Sequence, residues 1–426
     1  MIKEMLTGNA AAAWGVRLAK VDYVPAYPIT PQTEIIEMLA RWISNGDVDA
    51  RFVTLDSEHS MITAAGAASA TGVRVFTATS SQGLLYGFEM LYTVAGWRVP
   101  LVMVNVSRAL SSPITLEPDH NDILAARDAG FLQIHCETCQ EVLDSVLIAY
   151  RLAEDERVLL PVLINMDGFH LSFTREPVEV PDREQVVRFL PPYRPKHAFF
   201  KASRPMAQGT AVIGGSGYSY FKYQMHFASM GALDVYREVS EEFGRLFGRS
   251  YNTTEGYMID DAEYILIMTN SFSTLGKAAV KRAREKGVKA GLLRLRLLRP
   301  FPELGIKEAI RKAKAVASVD QNISVGKGGI LYSEISSVMY NEKERPLLLS
   351  FIGGLGGKAI SSEEFEFIFD RMIEAVGTGV GKVPYLLYTE MEWKEMEKLK
   401  NVAGKGNKNY NNYCGETHNI TEYGKE

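Results

Sequence analysis

The sequence predicts an α/β protein in which a domain built on a parallel sheet is followed by a second, smaller α/β domain. Segments typical of strands and helices alternate from residue 23 to 166 and again from residue 263 to 375. The segment 100–106 is apolar except at Asn105, a pattern typical of a strand that is buried on both faces of a sheet. Strands that are joined by helices run parallel, so both alternating regions predict parallel sheets.

Length and composition limit the possible classes of protein. A chain of 426 residues is too long for one ordinary core and predicts two or three domains. Its net charge is −4 and it has no basic stripe, so nucleic acid is not an expected partner. The N-terminus has no basic leader, and no apolar stretch approaches the length that crosses a bilayer. We therefore expect a cytoplasmic protein that does not bind membranes.

The predicted elements of the first domain follow one another closely. They are helix 9–20, a strand from residue 23, a helix from Thr30, strand 51–55, helix 58–70, strand 73–77, helix 84–95, strand 100–106, a strand near residue 131, helix 140–153 and strand 160–166. The helix from residue 58 consists largely of alanine and glycine. Residues that small allow another chain or a ligand to approach the helix backbone closely.

The helix that begins at Thr30 has the clearest local signal. Thr30 is a good N-cap residue, Pro31 has the φ of a first helical position, and apolar residues then recur at helical spacing. The first-turn amides and the positive end of the helix dipole would face the strand ends, where they could bind a carboxylate.

Polar residues lie just after several predicted strands. They are Thr30, Glu58, Ser80, Ser81 and Arg108. Ligands of parallel α/β sheets bind outside the carboxyl ends of the strands. We therefore expect these side chains to gather along one edge of the sheet, although they are far apart in sequence. Among the inferences from residue patterns, this one points most directly to function.

The second half of the chain repeats the alternation after a connector. Prolines crowd between residues 172 and 205 and predict an extended connector that wraps the surface, and a helix is predicted from about residue 234 to 247. The second domain then has strand 264–269, helix 274–286, strand 290–296, helix 303–313, strand 315–320, helix 330–339, strand 347–352 and helix 361–375. The predicted boundaries are 1–250 for the first domain with its connector, 258–385 for the second, and 386–426 for a tail that is partly disordered or docked on a partner.

Motifs that would indicate other functions are incomplete. The glycine runs lack residues that a dinucleotide fingerprint or a P-loop requires, so we interpret them as turns; they lie at 326–329, 353–357 and 377–381. Cys136, Cys139 and Cys414 are too few for a disulfide framework or for an iron–sulfur cluster on this chain alone. We interpret the Cys136/Cys139 pair as structural. His120 is predicted to be a loop histidine and a weak candidate for a site with Arg108.

Four short motifs occur in an order that is known from one family. They are Tyr27-Pro-Ile-Thr-Pro31, Ser57-Glu58-His59, Thr77-Ala-Thr-Ser-Ser-Gln-Gly83 and Ser107-Arg108-Ala109. With these motifs the chain resembles the alpha subunit of 2-oxoacid:ferredoxin oxidoreductases, and most closely the pyruvate:ferredoxin oxidoreductases. The resemblance covers nearly everything but the tail. It implies a thiamine-diphosphate-type pyrimidine domain on the parallel sheet and a smaller domain like the C-terminal domain of transketolase.

The resemblance also implies roles for single residues. Glu58 matches the glutamate that hydrogen-bonds the pyrimidine N1′ nitrogen of thiamine diphosphate, which makes it the implied catalytic residue. Arg108 and Thr30 match residues that bind the substrate carboxylate. Further cofactor contacts are implied for Tyr27, Pro28, Ser81 and Gln82.

The resemblance further implies that other chains complete the site. A beta subunit would hold the diphosphate and its Mg²⁺, because this chain has no Gly-Asp-Gly motif: its Gly46-Asp47 continues with Val48. No metal ligands are expected on this chain. Iron–sulfur clusters would lie on other subunits, which include a gamma subunit and a ferredoxin-like delta subunit. An external ferredoxin would accept the electrons, and the assembly would be a dimer of heterotetramers.

The implied reaction is the reversible, coenzyme A-dependent oxidative decarboxylation of pyruvate to acetyl-CoA and CO₂. Gln32-Thr33 is instead found in branched-chain 2-oxoacid relatives, so a 2-oxoisovalerate:ferredoxin oxidoreductase remains an alternative. The loop Asp119-His-Asn-Asp122 favours pyruvate. A structural subunit without catalytic function is another alternative. A nicotinamide dehydrogenase is disfavoured by the incomplete dinucleotide motif.

Overall fold

The computed structural model describes residues 2–196, 199–381 and 384–402. Residues 403–426, which make up most of the predicted tail and include Cys414, lie outside these ranges. The chain forms two compact units: Met1–Glu255 with Thr269–Phe272 and Leu295–Gly305, and Gly256–Met268 with Ser273–Arg294 and Ile306–Glu426. The domain boundaries that the sequence suggests stay a prediction. None of the helices described is both long and apolar enough to span a membrane.

Strands and helices alternate along most of the chain. The strands are β1 (Ile2–Thr7), β2 (Tyr23–Ala26), β3 (Arg51–Thr54), β4 (Phe76–Thr79), β5 (Val102–Ser107), β6 (Leu132–His135), β7 (Val162–Asp167), β8 (Arg175–Val180), β9 (Thr254–Tyr257), β10 (Tyr264–Thr269), β11 (Ala290–Leu295), β12 (Leu297–Arg299), β13 (Ala315–Asp320), β14 (Leu347–Ile352) and β15 (Tyr385–Leu386). The helices are α1 (Gly8–Ala19), α2 (Thr33–Ser44), α3 (Glu58–Ser69), α4 (Ser81–Tyr86), α5 (Phe88–Trp97), α6 (Asn121–Ala125), α7 (Cys139–Ala153), α8 (Arg183–Phe189), α9 (Gly215–Phe247), α10 (Ser273–Glu285), α11 (Glu303–Ile310), α12 (Ile330–Met339), α13 (Ser362–Thr378) and α14 (Glu390–Val402).

The first unit is built on a sheet in the order β12-β6-β7-β5-β4. Pairing is parallel from β4 through β5 and β7 to β6, and β12 adds an antiparallel edge. The parallel pair β2–β3 lies beside β4 through a parallel bridge between Tyr23 and Val75. Because these strands run in the same direction, the carboxyl ends of β2, β3, β4 and β5 meet at one edge.

Burial explains why this sheet forms. Every residue of β4, β5, β6 and β7 is buried, as expected for parallel strands that are covered by helices on both faces. Helix α1 packs against α7, and small residues allow the close contact. A Cβ added to Gly15 would lie 2.7 Å from Val146 Cβ, so only glycine fits at this position.

The second unit carries a six-stranded sheet in the order β15-β14-β13-β10-β11-β9. Strands β10, β13, β14 and β15 are parallel neighbours. Helix α13 begins with a capping box, in which Ser361 accepts from the Glu364 amide and the Glu364 carboxylate accepts from the Ser361 amide. Alternating strands and helices therefore form a second α/β unit, as the sequence predicts.

Two sequence predictions for the last part of the first unit, from residue 172 to 247, are wrong. The proline-rich connector contains β8, which pairs antiparallel with β1, and α8. Helix α9 begins at Gly215, well before the predicted start near residue 234. The early turns of α9 carry large side chains that are more than half exposed among the residues described: Tyr218, Tyr220, Phe221, Tyr223 and Phe227. The sequence rule that apolar residues mark a buried helix face does not hold for these turns.

The predicted helix start at Thr30 is also wrong. Helix α2 begins at Thr33, and its N-cap residue Gln32 makes no side-chain capping bond. The carbonyls that an earlier start would use are taken by distant side chains. Arg108 donates to the Thr30 carbonyl at 2.7 Å, and Asn9 donates to the Pro31 carbonyl at 3.0 Å. Tertiary hydrogen bonds thus override the local capping preference of Thr30.

Candidate functional site

The candidate site lies where four parallel strands of the first unit end side by side. The last residues of β2, β3, β4 and β5 are Ala26, Thr54, Thr79 and Ser107. The segments that follow these residues contact one another and contain every residue that the sequence singles out for the site. Arg108 is the connecting group, since it reaches the segments after β2 and β4.

Arg108 follows β5 directly and is only 7% exposed. Its guanidinium donates through Nη1 to the Thr30 carbonyl at 2.7 Å and through Nη2 to Gln82 Oε1. Nε is buried and finds no acceptor within the described residues. Burial lowers the pKa of Arg108, and the negative charge of Asp122 acts against this shift. The group remains a cation because the ordinary pKa of arginine is so high.

Ser81 and Gln82 form the turn that opens α4. Ser81 has a φ of +49°, a left-handed conformation that is uncommon for residues other than glycine. Its amide donates to Asp122 Oδ2 at 3.0 Å, and its hydroxyl lies 2.9 Å from the Ala109 carbonyl. Gln82 Oε1 accepts from Arg108, while Gln82 Nε2 is buried with no acceptor in the described part of the chain. Within the described ranges, two donors of neighbouring side chains are therefore unsatisfied: Arg108 Nε and Gln82 Nε2.

The segment after β2 presents backbone more than side chains to the site. Thr30 contributes its carbonyl to Arg108, and its own side chain is exposed. The Tyr27 carbonyl accepts from Gln32 Nε2 at 3.0 Å, which closes the turn before α2. Tyr27 is half-buried and Pro28 is exposed at the same edge.

Glu58 is the first residue of α3 and is only 5% exposed. Ser57 caps this helix by accepting from the Ser60 amide at 3.2 Å, which fixes the position of Glu58. Burial raises the pKa of Glu58, and a backbone hydrogen bond opposes the shift only in part. A Cβ added to Gly83 would lie 2.6 Å from Thr79 Oγ1 and closer still to Glu58 Oε1. The turn after β4 thus packs tightly against the Glu58 carboxyl group.

The sequence did not identify a buried polar network beneath these residues. Asp122 is fully buried and accepts hydrogen bonds at both oxygens. Oδ2 accepts from Ser81 N (3.0 Å), Asn105 Nδ2 (3.1 Å) and Arg108 N (3.2 Å), and Oδ1 accepts from Ser107 Oγ (2.8 Å) and Ile123 N (2.7 Å). Asn105, the one polar residue in a strand that otherwise reads as apolar, was the available signal.

His120 lies in the loop that precedes α6, as the sequence predicts, but it is not solvent-exposed there. It is buried, and its Nε2 lies 2.8 Å from Asp167 Oδ1. Burial acts to lower the pKa of His120, but the charge and hydrogen bond of Asp167 outweigh this effect and the pKa is raised. Asp167 Oδ2 also accepts from the amide of Ser271 at 2.9 Å. His120 is therefore a loop residue that forms a buried ion pair with Asp167.

Cys136 and Cys139 are both buried and do not form a disulfide with each other. Burial raises the pKa of the Cys139 thiol well above its usual range, and the nearby Glu176 carboxylate adds to the shift. A thiol that resists ionisation is a poor nucleophile and a poor metal ligand. These properties agree with the structural interpretation of the pair.

Two regions of the chain match known protein families. Residues 14–240 match the family described as "Pyruvate flavodoxin/ferredoxin oxidoreductase, thiamine diP-bdg". Residues 262–365 match "Pyruvate:ferredoxin oxidoreductase core domain II". The two matched regions lie one after the other along the chain, in the order that the resemblance found in the sequence implies.

Curated relatives are similar over most of their length. Pyruvate synthase subunit PorA of Pyrococcus abyssi is 42% identical over 383 residues, which cover 90% of this chain and 97% of the relative. Ketoisovalerate oxidoreductase subunit VorA of Pyrococcus horikoshii is 40% identical over 399 residues, which cover 93% of this chain and 99% of the relative. Both relatives are named as subunits, so their names imply assemblies of several chains.

Solved structures support the fold class. A 2-oxoglutarate:ferredoxin oxidoreductase from Magnetococcus marinus, solved with 2-oxoglutarate, coenzyme A and succinyl-CoA bound, has a TM-score of 0.67 at 20% identity, and the match covers 88% of this chain and 65% of that chain. A split-gene transketolase, solved as an inactive beta4 tetramer, has a TM-score of 0.51 at 14% identity, and the match covers 88% of this chain and 98% of that chain. The predicted fold class, a parallel-sheet thiamine-diphosphate-type domain followed by a transketolase-like α/β domain, is confirmed. The first family matches more than half of this chain's residues, and the PorA relative is 42% identical over nearly the whole length of that relative. The chain therefore belongs to the pyruvate flavodoxin/ferredoxin oxidoreductase family.

Proposed function

We propose that the chain is the alpha subunit of a pyruvate:ferredoxin oxidoreductase and that it acts only together with partner chains. The reaction is the coenzyme A-dependent oxidative decarboxylation of pyruvate to acetyl-CoA and CO₂, with two electrons passed to ferredoxin. The observation that carries the proposal is the environment of Arg108. Among the described residues, the buried guanidinium contacts only neutral acceptors and keeps one donor unsatisfied, and such a group is suited to bind a small carboxylate.

Two adjacent unsatisfied donors support this substrate class. Arg108 Nε and Gln82 Nε2 are both buried, and an unsatisfied buried donor costs free energy. A 2-oxoacid would satisfy them with its carboxylate oxygens. Gln82 Oε1 accepts a hydrogen bond from Arg108 Nη2. A substrate carboxylate that took over this bond would replace a neutral acceptor by a charged one. Hydrogen bonds between charged groups are stronger than those between neutral groups.

The residues around Glu58 fit a thiamine diphosphate cofactor. A buried carboxyl group with a raised pKa and no side-chain partner in the described ranges is available to hydrogen-bond a ring nitrogen. Gly83 packs directly against Glu58, and its lack of a side chain allows the carboxyl group to lie there. Glu58 would hold the aminopyrimidine ring, and Tyr27, Pro28, Ser81 and Gln82 would line the same edge. When bound, the cofactor supplies the nucleophilic carbon and the electron sink for decarboxylation.

Glu58 acts in this proposal through its proton. Because burial raises its pKa, the carboxyl group holds a proton to higher pH than a solvated glutamate does. A carboxyl group of this kind can share its proton with a basic ring nitrogen at neutral pH. Gly83 packs against Glu58, and the carboxyl group is largely shielded from water, which preserves the raised pKa.

Other parts of the assembly are proposed on the family pattern. A beta subunit supplies the ligands of the diphosphate and its Mg²⁺, because this chain lacks a Gly-Asp-Gly motif. Gamma and delta subunits carry or contact the iron–sulfur clusters, and an external ferredoxin receives the electrons. Coenzyme A is the acyl acceptor, and two heterotetramers associate. The domain boundaries at 1–250 and 258–385 belong to the same proposal, with a tail at 386–426 that docks on a partner.

A branched-chain 2-oxoacid is the second candidate substrate. The VorA relatives and the Gln32-Thr33 pair support it. In the structure, however, Gln32 is fully buried and its Nε2 donates to the Tyr27 carbonyl. Gln32 therefore shapes the turn before α2, and its side chain is committed to that contact. The PorA relatives, which are slightly more similar, favour pyruvate.

The test is to purify the chain with its co-expressed partners and to measure viologen reduction with each 2-oxoacid. We expect pyruvate, coenzyme A and thiamine diphosphate to be required together, and 2-oxoisovalerate to be a poor substrate. A preference for 2-oxoisovalerate would replace pyruvate by the second candidate. If neither acid reduces the dye, although the iron–sulfur clusters are intact by their absorbance, the proposed function is wrong.

A further inference from the structure

Asp122 connects the two segments that hold the proposed substrate-binding side chains. Through Oδ2 it accepts from the amide of Ser81, at the end of β4, and from the amide of Arg108, at the end of β5. Through Oδ1 it accepts from the Ser107 hydroxyl and from its own neighbour Ile123. One carboxylate therefore bonds the backbone on both sides of the site.

We propose that Asp122 is a positioning residue for the carboxylate-binding site: it fixes Arg108 and the Ser81-Gln82 turn relative to each other. This inference rests on the function proposed above and deepens it, because it names the group that holds the site in place. Asp122 itself does not contact the substrate. It acts through the two backbone amides that set where the guanidinium and the amide of Gln82 lie.

The conformation of Ser81 shows why such a group is needed. At a φ of +49° the residue is strained, and surrounding contacts must hold it. The amide bond to Asp122 (3.0 Å) and the hydroxyl contact with the Ala109 carbonyl (2.9 Å) do so. Without the Asp122 acceptor the turn would relax, and Gln82 would no longer meet Arg108 at the same position.

The charge of Asp122 provides a way to separate positioning from electrostatics. A buried carboxylate near Arg108 disfavours a second, incoming carboxylate, since like charges repel in an environment of low dielectric constant. Removal of the charge alone would therefore tighten substrate binding. Loss of the hydrogen-bond geometry would weaken it. The two roles thus predict opposite changes in KM.

The experiment compares Asp122→Asn and Asp122→Glu in the purified complex, with Asp119→Asn as the control. Asp119 is a buried carboxylate of the same loop that accepts from the Asn121 amide at 3.0 Å. Within the residues described, Asp119 makes no hydrogen bond to the ends of β4 or β5. Asn keeps the shape of Asp but removes the charge, and it turns at least one acceptor into a donor. Glu keeps the charge but displaces the carboxylate by one methylene.

We expect both Asp122 variants to raise KM for pyruvate, by about tenfold for Asn and more for Glu, while kcat changes less than KM. The control should keep KM within about twofold. A second readout is the increase in the melting temperature of the complex on addition of oxamate, a substrate-like carboxylate. This increase should be lost in the Asp122 variants and retained in the control.

An unchanged or lower KM in Asp122→Asn, or a wild-type KM in Asp122→Glu, would overturn the inference. If one variant fails to assemble, the other still decides, because each makes its own prediction about KM and about oxamate. Failure of the inference is distinct from failure of the proposed function. In the first case the wild-type complex oxidises pyruvate normally, and in the second it does not oxidise pyruvate at all.

Discussion

The guanidinium of Arg108 donates to the backbone carbonyl of Thr30 across 2.7 Å, which joins the segment after β5 to the segment after β2. The two residues are 78 positions apart in the sequence. This bond through Nη1 takes the carbonyl of Thr30 away from the helix that follows, while Arg108 Nε has no acceptor in the described part of the chain. The same contact therefore shapes the turn and prepares a donor for a ligand.

Replacement of Arg108 by lysine should weaken substrate binding. Lysine keeps a positive charge but lacks the planar fork that can hold Thr30, Gln82 and a carboxylate together. We expect Arg108→Lys to raise KM for pyruvate by roughly 10- to 100-fold. Steady-state viologen reduction by the complex measures the change. Arg188→Lys, at an exposed position of α8, is the control and should behave like wild type. An equal effect of both changes would contradict the role of Arg108.

Replacement of Glu58 by glutamine should lower the rate and raise the stability. Loss of the proton-sharing carboxyl group is expected to reduce kcat by roughly 100-fold or more. Because the pKa of Glu58 is raised on folding, the ionised carboxylate lowers the free energy of unfolding at neutral pH. This cost disappears once pH falls below the ordinary glutamate pKa of about 4.3. The melting temperature of Glu58→Gln should therefore exceed that of wild type at pH 7 but not near pH 4.

The control for this change is Glu37→Gln, at an exposed position of α2. It should alter neither the rate nor the melting temperature. Equal melting temperatures of Glu58→Gln and wild type at pH 7 would show that the Glu58 carboxyl group carries no cost of burial.

A methyl group at Gly83 should disturb the site. The added Cβ of Gly83→Ala would lie 2.6 Å from Thr79 Oγ1 and closer to the Glu58 carboxylate, so the turn or Glu58 must shift. We expect destabilisation by roughly 1–3 kcal/mol, measured as a lower melting temperature, together with a loss of activity. Gly96→Ala is a matched control on α5, where an added Cβ meets no atom within 4 Å. Alanine favours the helix there, and a slight stabilisation is expected.

The His120–Asp167 pair should make stability depend on pH. Because the pKa of His120 is raised on folding, protonated His120 adds to the free energy of unfolding. This stabilisation is fully present below the ordinary histidine pKa of about 6.5, and it is lost as pH rises through the higher pKa of the folded state. The pKa of Asp167 is lowered: burial acts to raise it, and the charge and hydrogen bond of His120 outweigh burial. The stabilisation from ionised Asp167 is therefore present above the ordinary aspartate pKa of about 3.9, and it is lost as pH falls through the lower pKa of the folded state.

We therefore expect His120→Gln to destabilise the complex most between about pH 4 and 6.5, by roughly 3 kcal/mol or more. The difference from wild type should shrink as pH rises beyond that window. Melting temperatures across this pH range provide the test, with exposed His226→Gln as the control. A difference that grows with rising pH would contradict the ion pair.

Sequence patterns predict the central parallel strands of both units and the edge of the first sheet, but not β1, β8, β9, β12 or β15, which have too little local periodicity to stand out. Residues after four strand ends were correctly expected at the same edge, since a parallel sheet brings its carboxyl ends together. The start of α2 could not be predicted in this way. Thr30 has good capping chemistry, but its carbonyl is used by Arg108, and no local pattern reports a partner 78 residues away.

The Asp122 network escaped prediction for a related reason. In the sequence, Asp122 stands among polar loop residues and resembles a solvated turn. Only the fold shows that it is fully buried and bonded to Ser81, 41 residues away, and to Asn105, 17 residues away. Asn105 gave a hint, because a polar side chain inside a buried strand needs a partner.

The bare aromatic turns at the start of α9 bear on how the molecule must be handled. The five aromatic side chains, each more than half exposed, form an apolar surface patch. Patches of this kind promote aggregation when no partner covers them. Any preparation of this polypeptide in isolation begins with that handicap. Co-production with its companions from the outset is the better route to material on which the assays above can be run.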